Sequence, residues 1–220
     1  MLGDAWRGDA DDLLRAIAAG GYAGIEITDA MIGRYAGDPS AFADALSREG
    51  LAFVAFAAAS PSGYTEPEAL ASDLAMIEGH IRFLSAFPGT ILSLGSATVM
   101  SPGIREAKFD AAARLYNEAA KAGARHGVDV AVHPSSHHDT LLFTREDYDA
   151  LMARLDPAVG WVPDTGHILR GGQDILDTLR TYRDRIRYLH LKDVDAAGRW
   201  AMLGRGVCDT AAGVDAVATA

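Results

Sequence analysis

The sequence predicts an α/β fold of the (β/α)8, TIM-barrel type, incomplete, with its first and last strands missing. Three observations predict it. Short apolar stretches with strand character alternate six times with amphipathic helical stretches, the pattern of a parallel sheet covered by helices. No compositional break or long linker divides the chain, so one domain is expected over residues 1–220. The strands end near residues 27, 57, 95, 133, 163 and 191. The step is roughly 33 residues, so eight units need about 260, close to the ~250 of a typical barrel. The chain is about 40 residues short of that, and a strand is expected to be absent before Met1 and another after residue 200. An open doubly wound sheet is the alternative. No G-x-G-x-x-G or Walker loop follows any strand, which counts against a nucleotide-binding version of it.

The elements follow in order. Asp9 caps a helix to Ala19 whose stripe is Leu13, Leu14 and Ile17, and Gly20-Gly21 stops it. A short strand runs over Tyr22–Ile27. Asp38-Pro39 opens a helix with Phe42, Ala45 and Leu46 on one face, closed by Gly50. Leu51–Ala57 is a strand, Glu66 to about Phe87 a long helix, and Thr90–Leu94 a strand. The second half repeats the pattern: an alanine-rich helix over Glu106–His126, a strand over Val128–His133, a helix from Thr144 to about Leu155, and a strand over Val159–Pro163. A helix from Gln173 to about Tyr182 and a strand over Ile186–Leu191 complete it. After Asp193 the pattern fades, and Asp209–Ala220 offers small residues with little to pack.

Composition excludes several function classes. Twenty Lys and Arg against 30 Asp and Glu give a net charge of −10, so a nucleic-acid partner is not expected. No apolar run approaches the roughly 18 residues that cross a bilayer, and the N-terminus lacks an apolar signal region, so no membrane partner is expected either. The single cysteine, Cys208, cannot form an internal disulfide and fits a reducing compartment; a cytoplasmic protein is the expectation.

Three consecutive strands end in metal-ligand residue types. His133, Asp164 and His190 lie 31 and 26 residues apart, about one βα unit each. In a parallel barrel the C-terminal strand ends meet on one face, so these three would converge. Imidazole with carboxylate suits a divalent metal, here Mn, Co, Zn or Mg. One histidine at a strand end is more often structural; three at successive ends are harder to explain by packing. His137 and His138 follow in Ser135-Ser136-His137-His138-Asp139-Thr140, either as solvated loop residues or as ligands for substrate hydroxyls. Glu26 interrupts an apolar strand, which is costly unless it is paired or used, so an internal salt bridge and a catalytic role are both open. Lys192 is a second catalytic candidate; it and Asp193 could instead pair with each other or with nearby loops. Cys208 has no partner suited to nucleophilic catalysis.

Asp164-Thr165-Gly166-His167 followed by His190-Leu191-Lys192-Asp193 resembles the xylose-isomerase-like barrel superfamily of sugar isomerases and epimerases. His133-Pro134 with Thr140 is similar to its inosose-dehydratase-like branch, as are Gly21–Glu26 and Trp200–Gly206; the likeness covers roughly residues 9–209. The resemblance implies one divalent metal at the barrel mouth, held by Glu, Asp, His and Glu from four strand ends. Asp164 and His190 match the middle two, and His133 stands at the first. The fourth, a Glu on a last strand, has no counterpart, and Arg205 sits where many relatives have Glu. The resemblance further implies that His167 touches substrate as a catalytic group and that Trp200 binds substrate.

The implied activity is a metal-dependent isomerase, an epimerase or a related dehydratase (a lyase), acting on a small sugar or polyol through an enediolate-type intermediate. Two rival readings stand beside it. An endonuclease-IV-like hydrolase shares part of the pattern, but it needs further histidines on earlier strands, and the ends near Ala57 and Gly95 offer none. A non-catalytic or truncated homologue would bind a sugar or a protein partner. An unclosed barrel exposes sheet edges, so a homodimer or poor solubility is expected of it.

Overall fold

A computed structural model describes residues 8–137 and 139–218. Helix α1 (Ala10–Ala19) is capped by Asp9, whose side chain accepts the N–H of Asp12, and the Asp12 side chain returns the bond. Strand β1 (Gly24–Thr28) follows, with Ile25 and Ile27 buried; alternation turns Gly24, Glu26 and Thr28 to the opposite face. Helix α2 (Pro39–Glu49) starts on Asp38 with proline in its first turn, and Gly50 ends it at φ +67°, a conformation that favours glycine. Strand β2 (Ala52–Ala58), helix α3 (Leu70–Leu84), strand β3 (Ile91–Leu94) and helix α4 (Arg105–Ala124) continue the alternation. Then come β4 (Val130–Val132), α5 (Arg145–Met152), β5 (Gly160–Trp161), α6 (Thr165–Arg170) and α7 (Ile175–Thr181).

The five strands form one parallel sheet in the order β1-β2-β3-β4-β5. Helices cover its outer face, and the core lies between. Phe42 of α2 is fully buried in this layer, its ring 5.1 to 6.1 Å from those of Phe53, Phe83 and Phe87. Burying such a side chain is worth about 1.5–3 kcal/mol. On the β5 side, Trp161 and Tyr148 pack edge to face at 5.8 Å.

The expected strand over Ile186–Leu191 is present only as two parallel bridges, Trp161 with Ile186 and Asp164 with His190. They carry the sheet one position past β5. Among the described residues no pairing joins that segment back to β1, so the barrel is open, as its six units predict. Three local differences stand out. The long helix from Glu66 begins as a 3-10 turn at Pro67–Ala69. Asp164, bridged to His190, also caps α6, a short helix outside the predicted pattern. The segment after Asp193 is ordered: β6 (Asp193–Val194) and β7 (Trp200–Ala201) form an antiparallel hairpin, and α8 (Thr210–Ala218) closes the described chain. No helix among the described residues is long and apolar enough to cross a membrane.

Candidate active site

The parallel register brings the three strand ends side by side. The backbone N–H of His133 donates to Leu94 O, and that of His190 to Pro163 O, both at 2.9 Å. Each side chain is therefore held at the rim where the ladders stop. His133 Nε2 lies 3.5 Å from Asp164 Oδ2, His190 Nδ1 lies 3.9 Å from the same oxygen, and the two ring nitrogens are 2.7 Å apart. The predicted trio converges.

Asp164 divides its two oxygens between structure and site. Oδ1 accepts the N–H of His167 at 2.9 Å, which fixes the start of α6. Oδ2 is buried and takes no well-directed hydrogen bond. It forms an ion pair with Lys192 Nζ at 3.0 Å. Burial works to raise the Asp164 carboxyl, but His133, His167 and Lys192 overrule it and hold it well below the ordinary range. Burial pushes His133 below the usual histidine value. A buried anionic oxygen faced by two imidazole nitrogens is a donor set that fits a divalent transition metal.

His167 stands in the same cluster; its donor atom and those of His133 and Asp164 lie within 4.8 Å of one another. Hydrogen bonding gives it a different state. The backbone N–H of Ser136 donates to His167 Nδ1 at 2.9 Å, and a backbone N–H can only donate. Nδ1 is thus unprotonated, and the neutral ring carries its hydrogen on Nε2, which is not available as a ligand atom. Burial depresses the ring to about 3, so it is neutral over the ordinary pH range. Ser136 Oγ lies 2.8 Å from Nδ1 and accepts from Arg170 Nη1 at 2.9 Å. On the other side, Nε2 is 2.9 Å from Lys192 Nζ.

Glu26 reaches the cluster from β1. Its Oε2 is 2.9 Å from His190 Nε2 and accepts from the Tyr188 hydroxyl. Burial works to raise its pKa, but His190, Tyr188 and His133 together hold it below the ordinary carboxylate range. Trp200 of β7 covers the mouth. Its ring lies 5.1 Å from that of His167 and 5.6 Å from that of His137, with Arg170 and Lys192 stacked against it at 4.7 and 5.3 Å. A cavity of about 300 Å³ opens here, bordered by Tyr64, Ser96, His133, His137, His167 and Lys192. A second, of about 270 Å³, lies beneath the hairpin against His137, Lys192 and Trp200.

The structure thus gathers His133, Asp164, His190, His167, Glu26, Lys192, His137 and Trp200. His138 lies outside the described residues. Lys192 and Asp193 do not pair with each other. The Asp193 carboxylate accepts the backbone N–H groups of Val194, Gly204, Gly206 and Cys208 at 2.8 to 3.0 Å, anchoring the loop after the hairpin. Ser136, Arg170 and Tyr188 were missed from the sequence. Tyr188 shares the strand face of His190, a detectable signal; Ser136 and Arg170 carry none.

A segment of 59 residues is 49% identical to the inosose dehydratase of Geobacillus kaustophilus (strain HTA426), covering 26% of this chain and 19% of that protein. The first curated relatives are each matched over less than half of their own length. Among solved structures, D-allulose 3-epimerase from Methylomonas sp. in complex with D-allulose superposes with a TM-score of 0.77 at 19% identity, over 97% of this chain and 77% of that one. The IOLI protein with a binding zinc atom gives 0.76 at 17% identity, over 94% and 78%. The family described as xylose isomerase-like TIM barrel matches residues 14–219, and the chain belongs to it.

Proposed function

We propose that this chain is a metal-dependent isomerase or epimerase, or a dehydratase of the inosose dehydratase type, acting on a small sugar or polyol. The observation that carries this reading is the buried Asp164 Oδ2 facing His133 Nε2 at 3.5 Å and His190 Nδ1 at 3.9 Å. These three residues would hold the cation. A divalent ion there would supply Lewis acidity, stabilising negative charge on a substrate oxygen when a carbon-bound proton is removed.

The remaining chemistry falls to side chains. His167, neutral and with its hydrogen on Nε2, donates to a substrate oxygen; Ser136 keeps the ring in that tautomer. Lys192, 2.9 Å from the same nitrogen and 3.0 Å from Asp164 Oδ2, sets its amino group beside the substrate oxygen that His167 contacts. His137 and Trp200 line the approach, Trp200 giving an apolar face on which the C–H side of a sugar ring packs and which keeps water out. Return of the proton to another position gives isomerisation or epimerisation. Loss of a neighbouring hydroxyl gives dehydration. The similarity to inosose dehydratase and to the D-allulose epimerase supports the substrate class.

The test is solvent exchange. The purified chain is freed of metal, supplied with Mn²⁺, Co²⁺, Zn²⁺ or Mg²⁺, and incubated in deuterated water with keto sugars and keto inositols. Deuterium entering beside the carbonyl only with metal present is the expected result. No incorporation with any metal and any of these substrates rejects the reading.

A further inference from the structure

We propose that Glu26 is a positioning residue for His190: its carboxylate takes the Nε2 hydrogen and so turns the Nδ1 lone pair toward His133 and Asp164. This rests on the reading of those three residues as a cation site. The two nitrogens of His190 face different partners. Nε2 is 2.9 Å from Glu26 Oε2, and Nδ1 is 2.7 Å from His133 Nε2 and 3.9 Å from Asp164 Oδ2. An ionised carboxylate only accepts, so it selects the tautomer with hydrogen on Nε2. That tautomer leaves Nδ1 as the ligand atom. Without the carboxylate, a hydrogen on Nδ1 pointing at His133 or Asp164 becomes competitive, and the lone pair is lost from the site.

Two further features favour positioning over direct catalysis for Glu26. Its Oε2 is engaged twice, by His190 and by the Tyr188 hydroxyl, and Glu26 does not border the cavity at the mouth. The strand pairing is also irregular at this point. Ile25 lies opposite Phe53, but Glu26 lies opposite Ala55, so Val54 is skipped. The extra residue belongs to β2, so the bend falls in the strand next to Glu26.

The experiment reads tautomer and metal affinity separately, without turnover. Long-range ¹H–¹⁵N correlation on the metal-free ¹⁵N-labelled protein reports which ring nitrogen of His190 carries hydrogen. Co²⁺ titration followed by visible absorption reports binding. The wild type should show hydrogen on Nε2. Glu26→Gln, which keeps an acceptor oxygen, should retain that tautomer with modestly weaker binding. Glu26→Leu should move hydrogen toward Nδ1 and weaken Co²⁺ binding about 10- to 100-fold. Wild-type His190 with hydrogen on Nδ1 overturns the proposal even if Glu26→Leu does not fold. So does a folded Glu26→Leu that keeps both the tautomer and the affinity. A wild type that takes up no Co²⁺ while His190 carries hydrogen on Nε2 rejects the cation reading and leaves the role of Glu26 in the tautomer standing.

Discussion

Lys192 Nζ lies 3.0 Å from Asp164 Oδ2, the same oxygen that the histidine nitrogens face. The ammonium and a divalent cation would compete for one carboxylate, and like charges a few ångströms apart repel even at the protein surface. Lys192→Met is expected to raise Co²⁺ or Zn²⁺ affinity at least about tenfold by calorimetric titration. The same variant should lose turnover, because the amino group beside His167 goes with it. Unchanged affinity would mean that the ammonium swings aside freely.

Metal-free protein should lose stability in acid. His167 is held down to about 3 and His133 below its ordinary value, both by burial, while an unfolded chain protonates these rings near 6.5. Between those limits the unfolded state binds more protons, so stability is whole above about pH 6.5 and falls as the pH drops toward 3. Glu26 and Asp164, both held low, add to the loss once the pH passes below about 4. For His167 alone the shift corresponds to up to about 5 kcal/mol. Urea midpoints measured from pH 8 to pH 4 check the slope, and His167→Gln should flatten it between pH 6.5 and 5.

Gly166 sits where a side chain has no room. A Cβ there would lie 2.7 Å from the Trp200 ring and 2.9 Å from Lys192 Cβ. Gly166→Ala should push Trp200 off the mouth, raising KM more than it lowers kcat and brightening or shifting tryptophan fluorescence. A KM unchanged within a factor of about two would show that Trp200 does not cover the bound substrate.

Asp193 gathers four backbone N–H groups, so its removal should be felt in the loop and not at the metal. Asp193→Ala is expected to lose hydrogen-exchange protection at Gly204, Gly206 and Cys208 and to be nicked there by protease, while metal affinity changes little. Retained protection at those three amides would assign the loop's order to other contacts.

Much of the site was legible because strand chemistry is regular. One βα unit separates His133 from Asp164 and Asp164 from His190, and parallel pairing puts successive C-terminal ends together, so spacing alone predicted a convergence the distances bear out. The open barrel followed from counting units. The hidden parts depend on contacts between distant segments. Nothing near Ser136 announces that its N–H will meet a ring 31 residues on. Helix α6 was invisible because Asp164 serves as strand end and helix cap at once, and six residues leave too little length for an apolar stripe. Helix α8 was missed for lack of large side chains, and the hairpin because two-residue strands are too short to show a pattern and Asp193 gathers the loop that follows them.

Glu26 and His190, 164 positions apart, touch across the open side of the barrel. Loops that long close slowly, because the entropy of bringing their ends together is spent before any contact repays it. The proposed cation pocket is therefore expected to mature late as the polypeptide folds, and metal loading would then report a finished molecule: an intermediate that has assembled only its early strands would bind dye or protease but not cobalt.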